Sequence, residues 1–110
     1  MKQAKHMRFG INTFLFTSPF TNKSTSLFKT FRKWGFDTVE LAIEAPDHID
    51  PQYVKDELDK AGLACGSVCA ALGPDRDLRG TPEAQANSMT YLKDLIDQMV
   101  ILHCPSLIGP

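Results

Sequence analysis

The sequence has no long run of apolar residues, no excess of charge of either sign and no glycine in its first polar loop. Each absence removes a class of protein. Without about 18 consecutive apolar residues there is no membrane-spanning segment. The start, Met1-Lys2-Gln3-Ala4-Lys5-His6, is basic, but no apolar stretch follows it, so it does not read as a signal peptide. Residues 1–6 are expected to form a frayed or disordered extension, with the folded domain spanning 7–110. Twelve Lys and Arg stand against thirteen Asp and Glu, a formal net charge of −1, which argues against a nucleic-acid binder. Three cysteines, Cys65, Cys69 and Cys104, are too few and too unevenly placed for a disulfide framework, which fits a reducing cytoplasm. The histidines His6, His48 and His103 lie far apart, without ligand spacing. The loop from Thr17 to Asn22 lacks the glycine that a backbone nest for phosphate needs.

What is present is an alternation of short apolar strands and amphipathic helices. Arg8–Asn12 reads as a first strand, and Leu27, Phe28, Phe31 and Trp34 recur on one helical face ended by Gly35. Thr38–Ile43 is a second strand. Asp50-Pro51 supplies an N-cap and a first-turn proline for a helix that Gly62 ends. A third strand runs from about Leu63 to Ala71. Gly73–Asp77 is a loop by composition, and Thr81-Pro82 opens the longest helix, whose buried face is expected to carry Met89, Leu92, Leu95, Ile96, Met99 and Val100. Ser106–Ile108 makes a fourth strand. The order β-α-β-α-β-α-β implies parallel strands joined by right-handed crossovers.

Two architectures use that order, and the strand faces separate them. A doubly wound sheet has helices on both sides and strands that are apolar throughout. Here Phe9 and Ile11 oppose Arg8, Gly10 and Asn12, while Val39, Leu41 and Ile43 oppose Thr38, Glu40 and Ala42. Ser67, Cys69 and Ala71 share one side of the third strand. Bulky apolar residues on one face suit an outer helix layer, and small or polar ones on the other suit a barrel lumen. The fold class expected is therefore α/β, the N-terminal (βα)3β portion of a TIM (βα)8 barrel. The alternative is a complete small flavodoxin-like α/β domain. A whole barrel takes roughly 250 residues, so this chain would supply less than half of one.

The segments Met7–Asn12, Trp34-Gly35-Phe36-Asp37-Thr38-Val39-Glu40-Leu41 and Ala71-Leu72-Gly73-Pro74 resemble the opening of the xylose-isomerase-like TIM barrels, the sugar phosphate isomerase/epimerases. The likeness is nearest to the D-tagatose/D-allulose (ketose) 3-epimerase group and covers its N-terminal part. The resemblance implies inversion at C3 of a ketose through a cis-enediolate. Two carboxylates exchange the proton, and a divalent metal (Mn, Co or Mg) steadies the developing charge. It implies that both carboxylates and the metal ligands come from later strands, so that no catalytic or metal residue is assigned here and the chain alone is expected to be inactive. It further implies a small-molecule sugar partner, no nucleic acid, no membrane, and a homo-oligomeric full-length parent. Hydroxypyruvate isomerase or inosose dehydratase chemistry of the same superfamily is the sister reading, and a noncatalytic flavodoxin-like binding module the reading from another class.

By position, the candidate substrate-binding residues are Asn12 and Phe14 after the first strand, Glu40 in the second, Cys69 at the end of the third, and Ile108 and Gly109 in the fourth. Many members of the group carry an aromatic residue where Asn12 stands. Other features are read as structural. Cys65 and Cys69 would share one strand face as buried thiols. Arg76 and Arg79, interleaved with Asp75 and Asp77, would belong to a solvated loop, and Lys29, Arg32 and Lys33 to a solvated helix face.

Overall fold

A computed structural model describes residues 7–109. The expectation for residues 1–6 lies outside the described residues, as does Pro110. Four strands, β1 (Gly10–Asn12), β2 (Thr38–Ile43), β3 (Ala64–Ala70) and β4 (Leu107–Ile108), alternate with helices α1 (Phe28–Lys33), α2 (Pro51–Ala61) and α3 (Pro82–Leu102). Short 3-10 turns at Thr13–Leu15, Asn22–Leu27 and Pro46–His48 fill the connections.

The helix boundaries follow from the capping chemistry read in the sequence. The Asp50 carboxylate accepts hydrogen bonds from the backbone N–H groups of Gln52 and Tyr53, and Pro51 occupies the first helical position where its missing N–H costs nothing. Thr81 caps α3 through the Ala84 N–H in the same way. Gly62 ends α2 with a left-handed backbone (φ 76°) that a side chain would strain. At the end of α3 the same role falls to His103, at φ 54°.

All neighbouring strands are parallel, in the spatial order β1-β2-β3-β4. That order settles the architecture. Right-handed crossovers that always step to the next strand in the same direction place every helix on one side of the sheet. A doubly wound fold must reverse its strand order to reach the other side. Accordingly α1 packs on α2 and α2 on α3, and the core lies between this helix layer and the sheet. Phe28 and Phe31 of α1, Val54 and Leu58 of α2, and Tyr91, Leu95, Met99 and Leu102 of α3 meet Ile11, Val39, Leu41, Ile43, Val68 and Ala70. This is the N-terminal part of a TIM barrel, and the flavodoxin-like alternative falls. Among the described residues, no helix is long and apolar enough to cross a membrane.

Three local expectations are corrected. In α3 the buried residues are Ala84, Ser88, Tyr91, Leu95, Met99 and Leu102, while Met89, Ile96 and Val100 are exposed. The helix carries two apolar stripes, and the one with Tyr91 docks. Phe9 lies before β1 and is exposed, as is Trp34 just beyond α1, so neither joins the core. In β3, Val39 pairs with Cys65 but Glu40 pairs with Ser67, which leaves Gly66 as a bulge. The extra residue reverses the side-chain alternation. Cys65 is buried with Val68 and Ala70 on the helix side, opposite Ser67 and Cys69, so the two cysteines do not share a face.

Gly10 and Gly66 flank Thr38 on the sheet face away from the helices. A Cβ at position 10 would collide with Thr38 Oγ1, and one at position 66 would lie 3.2 Å from Thr38 Cβ. We expect Gly10→Ala to lower stability by about 1–3 kcal/mol, the usual penalty for overpacking. Thr38→Ala should rescue most of that loss, both changes being read from urea unfolding midpoints.

Candidate functional site

The sheet face turned away from the helices is short of bulky side chains and rich in polar ones, and parallel register lines them up. Asn12 on β1 stands opposite Glu40 on β2, which stands opposite Ser67 on β3. Asn12 Nδ2 donates to Glu40 Oε1 at 2.7 Å, and Ser67 Oγ donates to Glu40 Oε2 at 3.0 Å. The amide of Asn12 is itself oriented, because its Oδ1 accepts the Phe14 backbone N–H at 2.7 Å. Each carboxylate oxygen therefore holds one donor and keeps acceptor capacity for another. A carboxylate fixed between strands in this way presents a rigid acceptor pair, suited to hydroxyl groups.

One layer nearer the C-terminal ends of the strands, Cys69 pairs with Ile108. Cys69 is half-buried and Ile108 exposed. Burial, and then the negative charge of Glu40, push the Cys69 thiol above its ordinary value. Replacing Glu40 by glutamine removes the second of these causes. We expect Glu40→Gln to speed alkylation of Cys69 by iodoacetamide at neutral pH, measured by mass spectrometry of the Cys69 peptide. An unchanged rate would refute the proximity.

The structure thus gathers Asn12, Glu40, Cys69 and Ile108 on one face. Phe14 sits in the 3-10 turn at its rim, tied to the row through its backbone N–H, and Gly109 follows β4 at the surface. Sequence reasoning placed Ser67 on the correct face but missed it as the second partner of the carboxylate. The available signal was its spacing from Glu40, nearly that of Glu40 from Asn12.

A second cluster, unseen in the sequence, ties the strand ends together. The Tyr91 hydroxyl accepts the Ala71 N–H at 2.8 Å and donates to the Ile43 carbonyl. The Arg76 guanidinium lies over the Tyr91 ring, 3.8 Å from its centroid, while its Nη2 donates to the carbonyls of Glu44 at 3.0 Å and Ala71 at 2.8 Å. Ser18 Oγ donates to the Glu44 carboxylate at 2.6 Å. Arg76 is therefore a structural clamp at the end of β2 and β3, contrary to its expected place in a solvated loop. Arg79 fits that expectation, pairing with Asp77 in solvent.

Among the described residues, no three His, Cys, Asp or Glu side chains gather into a group able to hold a metal ion. The donor set on the polar face is one carboxylate, already engaged by an amide and a hydroxyl, with a thiol above it. It does not fit a divalent metal.

No family model matches the sequence. The chain is 32% identical over 97 residues to a probable ketose 3-epimerase of Synechocystis sp., a match covering 87% of this chain and 33% of that protein. Its structure matches a D-allulose 3-epimerase from Methylomonas sp., solved with D-allulose, at a TM-score of 0.85 and 21% identity, over 96% of this chain and 37% of the other. It also matches a sugar phosphate isomerase/epimerase from Parabacteroides distasonis (TM-score 0.71, 19% identity, 100% and 41%). The chain spans about a third of the length of the curated relative. The structural likenesses bear on the fold alone, the N-terminal part of a TIM barrel.

Proposed function

We propose, from a chain that is similar to the ketose 3-epimerases and built as the first four strands of their barrel, that it forms one wall of a ketose-binding pocket. In this reading the parent enzyme inverts C3 of the sugar with the help of a divalent metal, in a reducing compartment and as a homo-oligomer. The carboxylates that move the proton and the residues that hold the metal come, in this reading, from later strands of the parent barrel.

The observation that carries the proposal is the Asn12–Glu40–Ser67 row with Cys69 and Ile108 above it. In parallel-stranded barrels, ligands sit at the C-terminal ends of the strands, which is where Cys69, Ile108, Gly109 and Phe14 lie. A ketose there would meet the apolar side chain of Ile108 and the thiol of Cys69. Glu40 beneath them has acceptor capacity left for a sugar hydroxyl or a bridging water, and Asn12 and Ser67 hold it in place. The exposed apolar stripe of α3, with Met89, Ile96 and Val100, supports the reading as a surface suited to a further barrel helix.

The test is complementation. The chain is joined to the remaining two thirds of the Synechocystis relative and incubated with D-fructose or D-tagatose and manganese, cobalt or magnesium. C3 inversion by the folded chimera, and none by the 110-residue chain, is the expected result. Inversion by the short chain alone would refute the external placement of the catalytic groups. A folded chimera inert toward every ketose would sink the epimerase reading.

A further inference from the structure

We propose that Cys65 and Cys104 form a redox-active pair, which a small-molecule disulfide such as oxidised glutathione converts to a cross-strand disulfide joining β3 to the segment between α3 and β4. This inference is independent of the pocket and its substrate.

The proximity follows from how the chain enters β4. Val68 pairs with Leu107 and Cys69 with Ile108, and the Val68 N–H donates to the Ser106 carbonyl at 2.9 Å, so the segment from Cys104 to β4 runs alongside β3. Chain segments at that spacing suit a disulfide, which spans about 4.4–6.8 Å between Cα atoms. The side chains agree with the backbone. Both belong to the core cluster on the helix side, Cys65 4% exposed and Cys104 9% exposed, and the two thiols lie close enough for Cys65 to donate to the Cys104 sulfur once that is ionised. The Gly66 bulge makes this possible. Without it Cys65 would point to the polar face, where Cys69 stands.

The two thiols are chemically unequal. The hydrogen bond from Cys65 brings the Cys104 thiol down to about 7, aided by the backbone of Ser106 and opposed by burial. Cys65 is pushed up by the same hydrogen bond and by its burial. Cys104, which is also the more exposed of the two, is the attacking thiolate and Cys65 the resolving thiol. Cys104 Sγ bonds to one sulfur of oxidised glutathione, whose S–S bond breaks and releases one glutathione thiolate, which takes up the proton Cys104 gave up. Cys65 then loses its proton and attacks the Cys104 sulfur, expelling the second glutathione. Two protein thiols are oxidised by two electrons, and one glutathione disulfide is reduced to two thiols.

The 110-residue chain, reduced, desalted and folded, is incubated with oxidised glutathione and then alkylated in denaturant. Reactive thiols are expected to fall from three to one, with an intact mass lower by two hydrogens. Peptide mapping should join Cys65 to Cys104 and leave Cys69 alkylated. Cys69→Ser should still close the bond, and Cys65→Ser should stop at a glutathione adduct on Cys104. Retention of all three thiols, or a bond or adduct at Cys69 in the wild-type chain, would overturn the proposal without touching the epimerase reading. The wild-type map decides even if a variant folds poorly.

Discussion

Phenylalanine at position 91 is expected to lower folding stability by about 2–4 kcal/mol, although it removes a single oxygen. The Tyr91 hydroxyl serves two backbone groups at once, accepting from Ala71 N–H and donating to the Ile43 carbonyl, in a side chain only 4% exposed. Its loss leaves both groups without that partner where water has little access, and each such group costs about 1–3 kcal/mol. The Arg76 stack survives the change because the ring remains, so the measured loss isolates the hydroxyl. Against a typical total of about 5–15 kcal/mol the effect is large. Urea unfolding measures it, and hydrogen exchange at Ala71 should quicken in parallel. A loss below about 0.5 kcal/mol would show that the hydroxyl is not holding the ends of β2 and β3.

The second large effect contrasts two adjacent residues. Leu95 is fully buried, whereas Ile96 is 49% exposed. Leu95→Ala is expected to cost about 2–5 kcal/mol, the range for a leucine removed from a packed core. Ile96→Ala should fall within about 0.5 kcal/mol of the parent. Chemical denaturation of the two variants side by side decides which stripe of α3 meets the sheet. Comparable losses would mean that the stripe of Met89, Ile96 and Val100 is buried after all.

That contrast also shows where the sequence was legible. Asp50-Pro51, Thr81-Pro82 and Gly62 marked helix ends because capping is local chemistry, decided within one turn. The two faces of β2 were legible because Val39, Leu41 and Ile43 alternate with Thr38 and Glu40 over a full strand. The docking face of α3 was not. Both stripes are apolar, Tyr91 and Ser88 look surface-like in isolation, and the choice rests on a hydroxyl reaching main-chain groups 20 and 48 residues away. The Gly66 bulge was hidden for a related reason. One inserted residue leaves composition unchanged, and a lone glycine in a strand is its only local trace. Arg76 looked solvated because the partners that desolvate it come from β2, the end of β3 and α3.

Of the candidate site, the positions on strands were legible and their bonding was not. Alternation placed Asn12, Glu40 and Cys69 on one face, but nothing local said that Glu40 would be gripped from both sides.

That grip has a consequence for how such a surface diversifies. Its three members are 28 and 27 residues apart, one on each successive strand, and the residues flanking Glu40 point the opposite way, into the helix-covered interior. In the proposed pocket, exchange of one member changes what the polar face offers a ligand while the apolar residues that alternate with it keep the core packed. On that reading, ligand preference and core packing are written largely on alternate letters of the same strands, the tight Gly10–Thr38–Gly66 contact being the exception.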